Sequence, residues 1–147
     1  MTDHPALARQ YFTDGYNCSQ AVLLAFSDMI ALDEKTASLI SSSFGGGMAR
    51  MREVCGAVTG AIMVLGLLKG YSDPKAKEEK KEFYHLVQDF FHRFEEEHGS
   101  YICKKLLTGT DILPGKDPEH RTKEYYKKRP CPDLVESAAR ILDEMLA

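Results

Sequence analysis

The residues best suited to chemistry in this 147-residue chain are its four cysteines, Cys18, Cys55, Cys103 and Cys131. A thiolate is at once a nucleophile, a metal ligand and half of a disulfide, and what lowers the thiol pKa decides how much of it exists. The spacing contains no C-x-x-C, no C-x-x-C-H and no paired zinc-finger interval, so any joint role must be assembled by folding. Each cysteine falls in the first turn of an expected helix or just ahead of one: Cys18 after Asn17, Cys55 after Glu53, Cys103 after Ser100, and Cys131 before Asp133. The partial positive charge at a helix N-terminus favours thiolate over thiol. Cations accompany three of them, with Arg50 and Arg52 before Cys55, Lys104 and Lys105 after Cys103, and Arg129 before Cys131. Taken one at a time, a cysteine is more simply explained as a small buried filler. Cys131, set between Pro130 and Pro132 in a polar stretch, resists that explanation most.

The other chemical candidates are weaker. His85 and His92 lie two turns apart on nearly one helical face, where one of them could join a metal site, although edge positions suit both. His98 and His120 read as surface residues, with His120 able to approach a cysteine from a long loop. The glycines at 45 to 47 lack both the G-K-[ST] ending and the preceding strand of a phosphate cradle. No carboxylate pair or nucleophile elbow is present.

The element that must position the cysteines runs from Phe44 to Gly70, FGGGMARMREVCGAVTGAIMVLGLLKG. No formal charge occurs from Val54 to Leu68, and Gly56, Ala57, Gly60 and Ala61 recur at four-residue intervals that let another backbone come close. This predicts a buried central helix over about 53–69. A membrane span needs roughly 20 apolar residues, and Glu53 and Lys69 bracket a shorter run. Gly60 reads as helix packing; Gly56 and Ala57 could also leave the Cys55 sulfur open to a partner.

The remaining elements read as helices. Thr2 or Asp3 caps a first one with Pro5 in its opening turn, ending near Gly15. A second runs from Asn17 to about Ala31 with Cys18, Val22, Ala25, Phe26 and Met29 inward. Asp33 caps a third carrying Ala37, Ile40 and Phe44, which the glycines end. Ser72-Asp73-Pro74 starts a long helix whose inner face is Phe83, Leu86, Val87, Phe90, Phe91 and Phe94. Gly99 ends it, and Ser100 caps a short helix with Cys103, Leu106 and Leu107. Residues 108–132 read as one long irregular segment, of a length that is functional or mobile in a compact domain. A last helix over about 133–145 turns Leu134, Ala138, Ile141, Leu142 and Met145 inward. With no alternating strand pattern the fold is expected to be all-α: one domain over 1–147, a bundle of six to seven helices around the central one.

Composition narrows the function. A net charge of -3 gives no general attraction to nucleic acid, and YYKKRP is the one basic patch to consider. The N-terminus shows neither a basic start with an apolar core nor a small-residue cleavage site, so the expected compartment is the cytoplasm. There, four cysteines point to catalysis, redox sensing or metal binding rather than permanent staples.

Cys18, the central Cys55-Gly56-Ala57-Val58-Thr59-Gly60, Cys103 and Cys131 together resemble the C_GCAxxG_C_C family of small bacterial and archaeal proteins, whose description as redox-active rests on the cysteines. The resemblance covers most of the chain; the central segment reads Cys-Gly-Ala where the family name writes Gly-Cys-Ala. It implies a role class without a substrate. The leading expectation is thiol–disulfide chemistry by a protein that could be an oxidoreductase, with Cys55 as attacking thiolate. Cys18 would be its partner and Cys103 and Cys131 a second pair, although four cysteines allow three pairings. The rival is zinc, iron or an iron–sulfur cluster held by the same four sulfurs. A third reading is a non-catalytic helical protein that associates with itself or a partner through apolar surface. An unidentified redox partner or small molecule is expected, with no nucleic acid and no membrane span.

Overall fold

The computed structural model describes residues 1–108 and 117–147. These are helical, with no strand among them, and seven of the described helices are six residues or longer. Helix α1 (His4–Thr13) begins where the Asp3 carboxylate accepts the Ala6 N–H at 3.1 Å. Helix α2 (Cys18–Ala25) opens on a reciprocal cap: Asn17 Oδ1 accepts the Gln20 N–H at 2.8 Å, and Gln20 Oε1 accepts the Asn17 N–H at 3.1 Å. It stops six residues before the expected Ala31. The Phe26 and Ser27 amides bond only three residues back, the Ser27 hydroxyl donates to the Leu24 carbonyl at 2.6 Å, and Met29 is exposed rather than inward.

Helix α3 (Glu34–Ser41) is capped by Asp33 and tightens into a 3-10 turn, Ser42–Phe44. Only Ala37 and Ser41 of α3 are buried, and Ile40, expected inside, is exposed. The glycines do end the helix by taking left-handed conformations, at Gly46 and Gly47, and the turn α4 (Gly45–Met48) continues that hand through residues that are not glycine. Met48, Ala49, Arg50 and then Arg52 have φ of 69°, 52°, 65° and 62°. For residues with a Cβ this costs about 1–2 kcal/mol each. Partners that offset the strain include the Glu53 N–H to Gly47 C=O bond at 3.0 Å and the Arg52 N–H to Gly46 C=O bond at 3.2 Å.

The central helix α5 (Gly56–Lys69) starts at Gly56 rather than 53, because residues 53–55 are drawn out to pair antiparallel with 101–103 around the Val54–Ile102 bridge. Cys55 N–H donates to Tyr101 C=O at 2.8 Å, and Cys103 N–H donates to Glu53 C=O at 2.6 Å. Ala57, Val58, Ala61, Val64 and Leu65 are fully buried. The small residues have the expected use: a Cβ on Gly60 would lie 2.6 Å from the Ser19 carbonyl oxygen, and one on Gly56 would lie 2.9 Å from Cys18 Cβ. Helices α2 and α5 therefore touch backbone to backbone, with Cys18 and Cys55 at one end of the contact.

The long helix α6 (Lys77–His98) begins three residues beyond Pro74, since Asp73 spends its side chain on a turn to the Lys75 N–H. Phe90 and Phe94 are its fully buried anchors. The turn α7 (Cys103–Leu106) follows Gly99, which has the expected left-handed conformation. The stretch expected to be irregular contains helix α8 (Lys123–Lys128), capped by Thr122; residues 109–116 of it lie outside the described residues. The last helix, α9 (Cys131–Leu146), opens at Cys131 with Pro132 in its first turn and packs Leu134, Ala138, Ile141 and Leu142 against α1, α2 and α5. The buried residues form one cluster, and no described helix is long and apolar enough to cross a membrane.

Candidate functional site

All four cysteines occupy helix N-termini, Cys55 as the N-cap of α5 and the other three as the first residues of α2, α7 and α9. All four are buried, none is in a disulfide, and all line one cavity of about 330 Å³. Three positions fix this convergence. Gly56 lets α5 close on Cys18, Gly47 lies where a Cβ would be 2.7 Å from Cys103 Cβ, and the antiparallel 53–55 and 101–103 pairing sets Cys55 and Cys103 on one face. Cys131 is brought in by the docking of α9 on α2 and α5.

The rest of the cavity wall combines apolar residues such as Leu106, Leu107 and Leu134 with a set of cations. Arg50, Arg52, Arg121 and Arg129 line it, with Glu119 as the one carboxylate among the described lining residues. Glu119 pairs with Arg129 and with Arg50 at 3.3 Å, and lies 4.0 Å from Arg52. Arg52 Nη1 is 3.7 Å from Cys103 Sγ. Arg121 donates to the carbonyls of Phe12 at 3.1 Å and Tyr16 at 3.0 Å, and stacks over the rings of Phe12 and Tyr125. It thereby fastens the chain entering α8 onto α1. Arg129, buried, stacks on the other ring contact of Tyr125 at 4.5 Å. Burial pushes the Tyr125 phenol up to about 12, so a neutral hydroxyl stands among these cations.

This setting divides the thiols. A hydrogen bond from Cys18 lowers the Cys131 pKa below the ordinary thiol value; burial opposes the shift, and Arg129, Arg121 and Arg52 add to it. Cys18 is the donor and is raised well above the ordinary value by that bond and by burial. Burial also pushes Cys55 up to about 12, against the pull of the Ala57 and Val58 amides. Cys103 is raised by burial, with Arg52 opposing. Of the four, Cys131 alone is shifted toward the thiolate, and Cys55, the expected nucleophile, is shifted away from it. A helix N-terminus is common to all four and cannot distinguish them; the neighbouring Cys18 and the charges of three guanidinium groups can.

Several other expectations change. Lys104 and Lys105 are exposed and face away from the cavity, and Arg52 reaches Cys103 rather than Cys55. Arg50 does line the cavity, but Ala57 and Gly60 are not among its described lining residues, and Gly60 serves helix packing. YYKKRP, considered as a nucleic-acid patch, contributes Tyr125 and Arg129 to the cavity. His85, His92 and His120 are exposed, whereas His98 is half-buried against the Phe94 ring. Among the described residues no group of three or more His, Cys, Asp or Glu is placed to hold a metal ion. Glu119, Arg121 and Tyr125 escaped sequence reasoning because their segment carries no periodicity; the one available signal was two arginines and two tyrosines within ten residues. His4 also went unremarked. It is buried on the opposite side of α2, stacked on Phe26, with Nδ1 2.7 Å from Asp143 and Nε2 2.9 Å from Asp28.

Residues 16–145 match the model of a family described as "Putative redox-active protein (C_GCAxxG_C_C)". No curated protein and no solved structure matches the chain.

Proposed function

The chain belongs to the C_GCAxxG_C_C family, and from that premise we propose that it performs thiol–disulfide exchange with Cys131 as the attacking thiolate and Cys18 as the resolving thiol. What supports this reading is that Cys18 and Cys131, the first residues of α2 and α9, line one cavity together with four arginines, and that Cys18 and three of those arginines draw the Cys131 thiol pKa down. A thiol that donates to a neighbouring thiolate stabilises the nucleophile and already stands where the second bond must form.

The steps balance as follows. The Cys131 thiolate attacks one sulfur of a disulfide RSSR, an S–S bond forms between Cys131 and that sulfur, and RS⁻ leaves. The Cys18 proton passes to the departing thiolate, and the Cys18 sulfur attacks Cys131 Sγ, expelling the second RS⁻. The substrate gains two electrons and the protein holds a Cys18–Cys131 disulfide; the reverse sequence reduces it. Arg129, Arg121 and Arg52 stabilise negative charge on sulfur at each stage, as cations beside a thiolate do. Cys55 and Cys103, both held as neutral thiols, do not start the reaction. Removing either cysteine of the reacting pair should abolish two-electron oxidation by a small disulfide, while Cys55→Ser and Cys103→Ser should keep it. Thiol titration before and after oxidation reads this directly, and a Cys131→Ser protein that still loses two thiols would refute the assignment.

A further inference from the structure

The cavity has a charge imbalance that the exchange reaction does not by itself require. Among the described lining residues, four guanidinium groups stand against one carboxylate, and Glu119 is shared among Arg129, Arg50 and, at the limit of an ion pair, Arg52. The Cys131 thiolate offsets part of this excess. The N-termini of α2, α5 and α9 open onto the same space, and neither α5 nor α9 has a side-chain cap for its first amides. A cation partly withdrawn from water is costly without a close anion, Arg52 is only weakly paired, and helix N-termini favour negative charge, so these features call for an anionic occupant. Arg52 is the best placed to take it: one nitrogen lies 3.7 Å from Cys103 Sγ and another only 4.0 Å from Glu119, leaving its planar donor set weakly used.

We propose that the substrate of this cavity is a small anionic sulfur compound, a low-molecular-weight disulfide whose carboxylate or comparable oxyanion group is held by Arg52 and Arg129 while its sulfur meets Cys131. The volume of about 330 Å³ is at the small end of ligand cavities, which run from roughly 300 to 1,000 Å³, and so suits a compact molecule rather than a loop of a protein partner. The same cations then serve two purposes, lowering the thiol pKa and selecting negatively charged substrates. This inference rests on Cys131 being the reactive sulfur.

The test compares two alkylating probes of similar size, anionic iodoacetate and neutral iodoacetamide, on the reduced full chain, with the rate at Cys131 read by mass spectrometry. A thiolate without an anion site prefers iodoacetamide. Here iodoacetate is expected to react faster, and added inorganic sulfate should slow iodoacetate while sparing iodoacetamide. Arg52→Gln and Arg129→Gln should each lower the iodoacetate-to-iodoacetamide ratio by about tenfold, whereas Arg→Lys at the same positions should retain most of it. The ratio cancels any change in thiolate fraction common to both probes, and sulfate competition on the unaltered protein decides the matter if a glutamine variant misfolds. A wild-type preference for iodoacetamide, insensitivity to sulfate, or no reaction at Cys131 with either probe would overturn the proposal. If one of these outcomes is found while the Cys18–Cys131 disulfide still forms with a neutral oxidant, anion selection has failed and the exchange chemistry stands.

Discussion

Replacing Cys18 by alanine should raise the pKa of Cys131, and the size of the change follows from the contact it removes. Cys18 donates the hydrogen bond that is the foremost cause of the lowered Cys131 value, ahead of the three arginines. A hydrogen bond to a charged group is worth about 1.5–3 kcal/mol, but S–H is a weak donor, which places this one at or below the lower end. One pKa unit corresponds to 1.36 kcal/mol, so the expected rise is about one unit. Cys18→Ser, which keeps a hydroxyl donor at the same position, should recover part of it. The assay is the pH dependence of iodoacetamide labelling at Cys131, or of thiolate ultraviolet absorbance in a protein carrying Cys55→Ser and Cys103→Ser. In the parent protein the labelling rate should reach half its maximum below the ordinary cysteine value of about 8.5, and the alanine variant should move that midpoint to higher pH. An unchanged profile in Cys18→Ala would refute the argument, because the arginines alone would then account for the thiolate and Cys18 would have no claim to be its partner.

Other consequences can be checked by stability measurements. Gly60→Ala should destabilise by about 1–3 kcal/mol in urea denaturation, since its Cβ would meet the Ser19 carbonyl at 2.6 Å. Gly66→Ala in the same helix finds only Phe83 at 3.8 Å and should instead stabilise by about 0.5–1 kcal/mol. Arg121→Ala removes two charged hydrogen bonds and the stacking on Phe12 and Tyr125, and should cost about 2–4 kcal/mol while raising the Cys131 pKa. Burial pushes the Asp28 carboxyl up, but the hydrogen bond and charge of His4 more than offset it and hold it below the usual value. A depressed carboxylate contributes stability above its unfolded pKa of about 3.9 and loses it as the pH falls through the folded value. His4→Phe, which retains an aromatic ring for stacking on Phe26, should therefore make stability less steeply dependent on pH in the range below about 4.

The helical architecture could be read from the sequence wherever the signal was local. Asn17, Asp33 and Gly99 marked helix ends that the structure keeps, and the uncharged run with Gly56 and Gly60 marked the buried central helix. The positions of the four cysteines at helix starts were legible for the same reason. Boundaries failed where tertiary pairing won: residues 53–55 are drawn out of the central helix by 101–103, and Asp73 caps a turn in place of a helix. The left-handed path through Met48, Ala49 and Arg50 was hidden because intrinsic preference opposes it in residues bearing a Cβ. It turns Arg50 and Arg52 toward the cavity, which suggests the strain belongs to the site rather than to the fold. What sets Cys131 apart was only partly legible. Arg129 stands two residues before it, but Cys18, Arg52 and Arg121 are distant in the chain, and the segment supplying Arg121 and Glu119 has no pattern that propensity can detect.

The central claim concerns one pair among the three pairings open to four cysteines. Oxidising the reduced protein with a single equivalent of a small disulfide, quenching with acid and mapping the cross-linked peptides by mass spectrometry tests it most directly. A link between Cys18 and Cys131, with Cys55 and Cys103 recovered as free thiols, is the predicted result. A first disulfide that joins Cys55 to Cys103, or four thiols that survive oxidation, would contradict it.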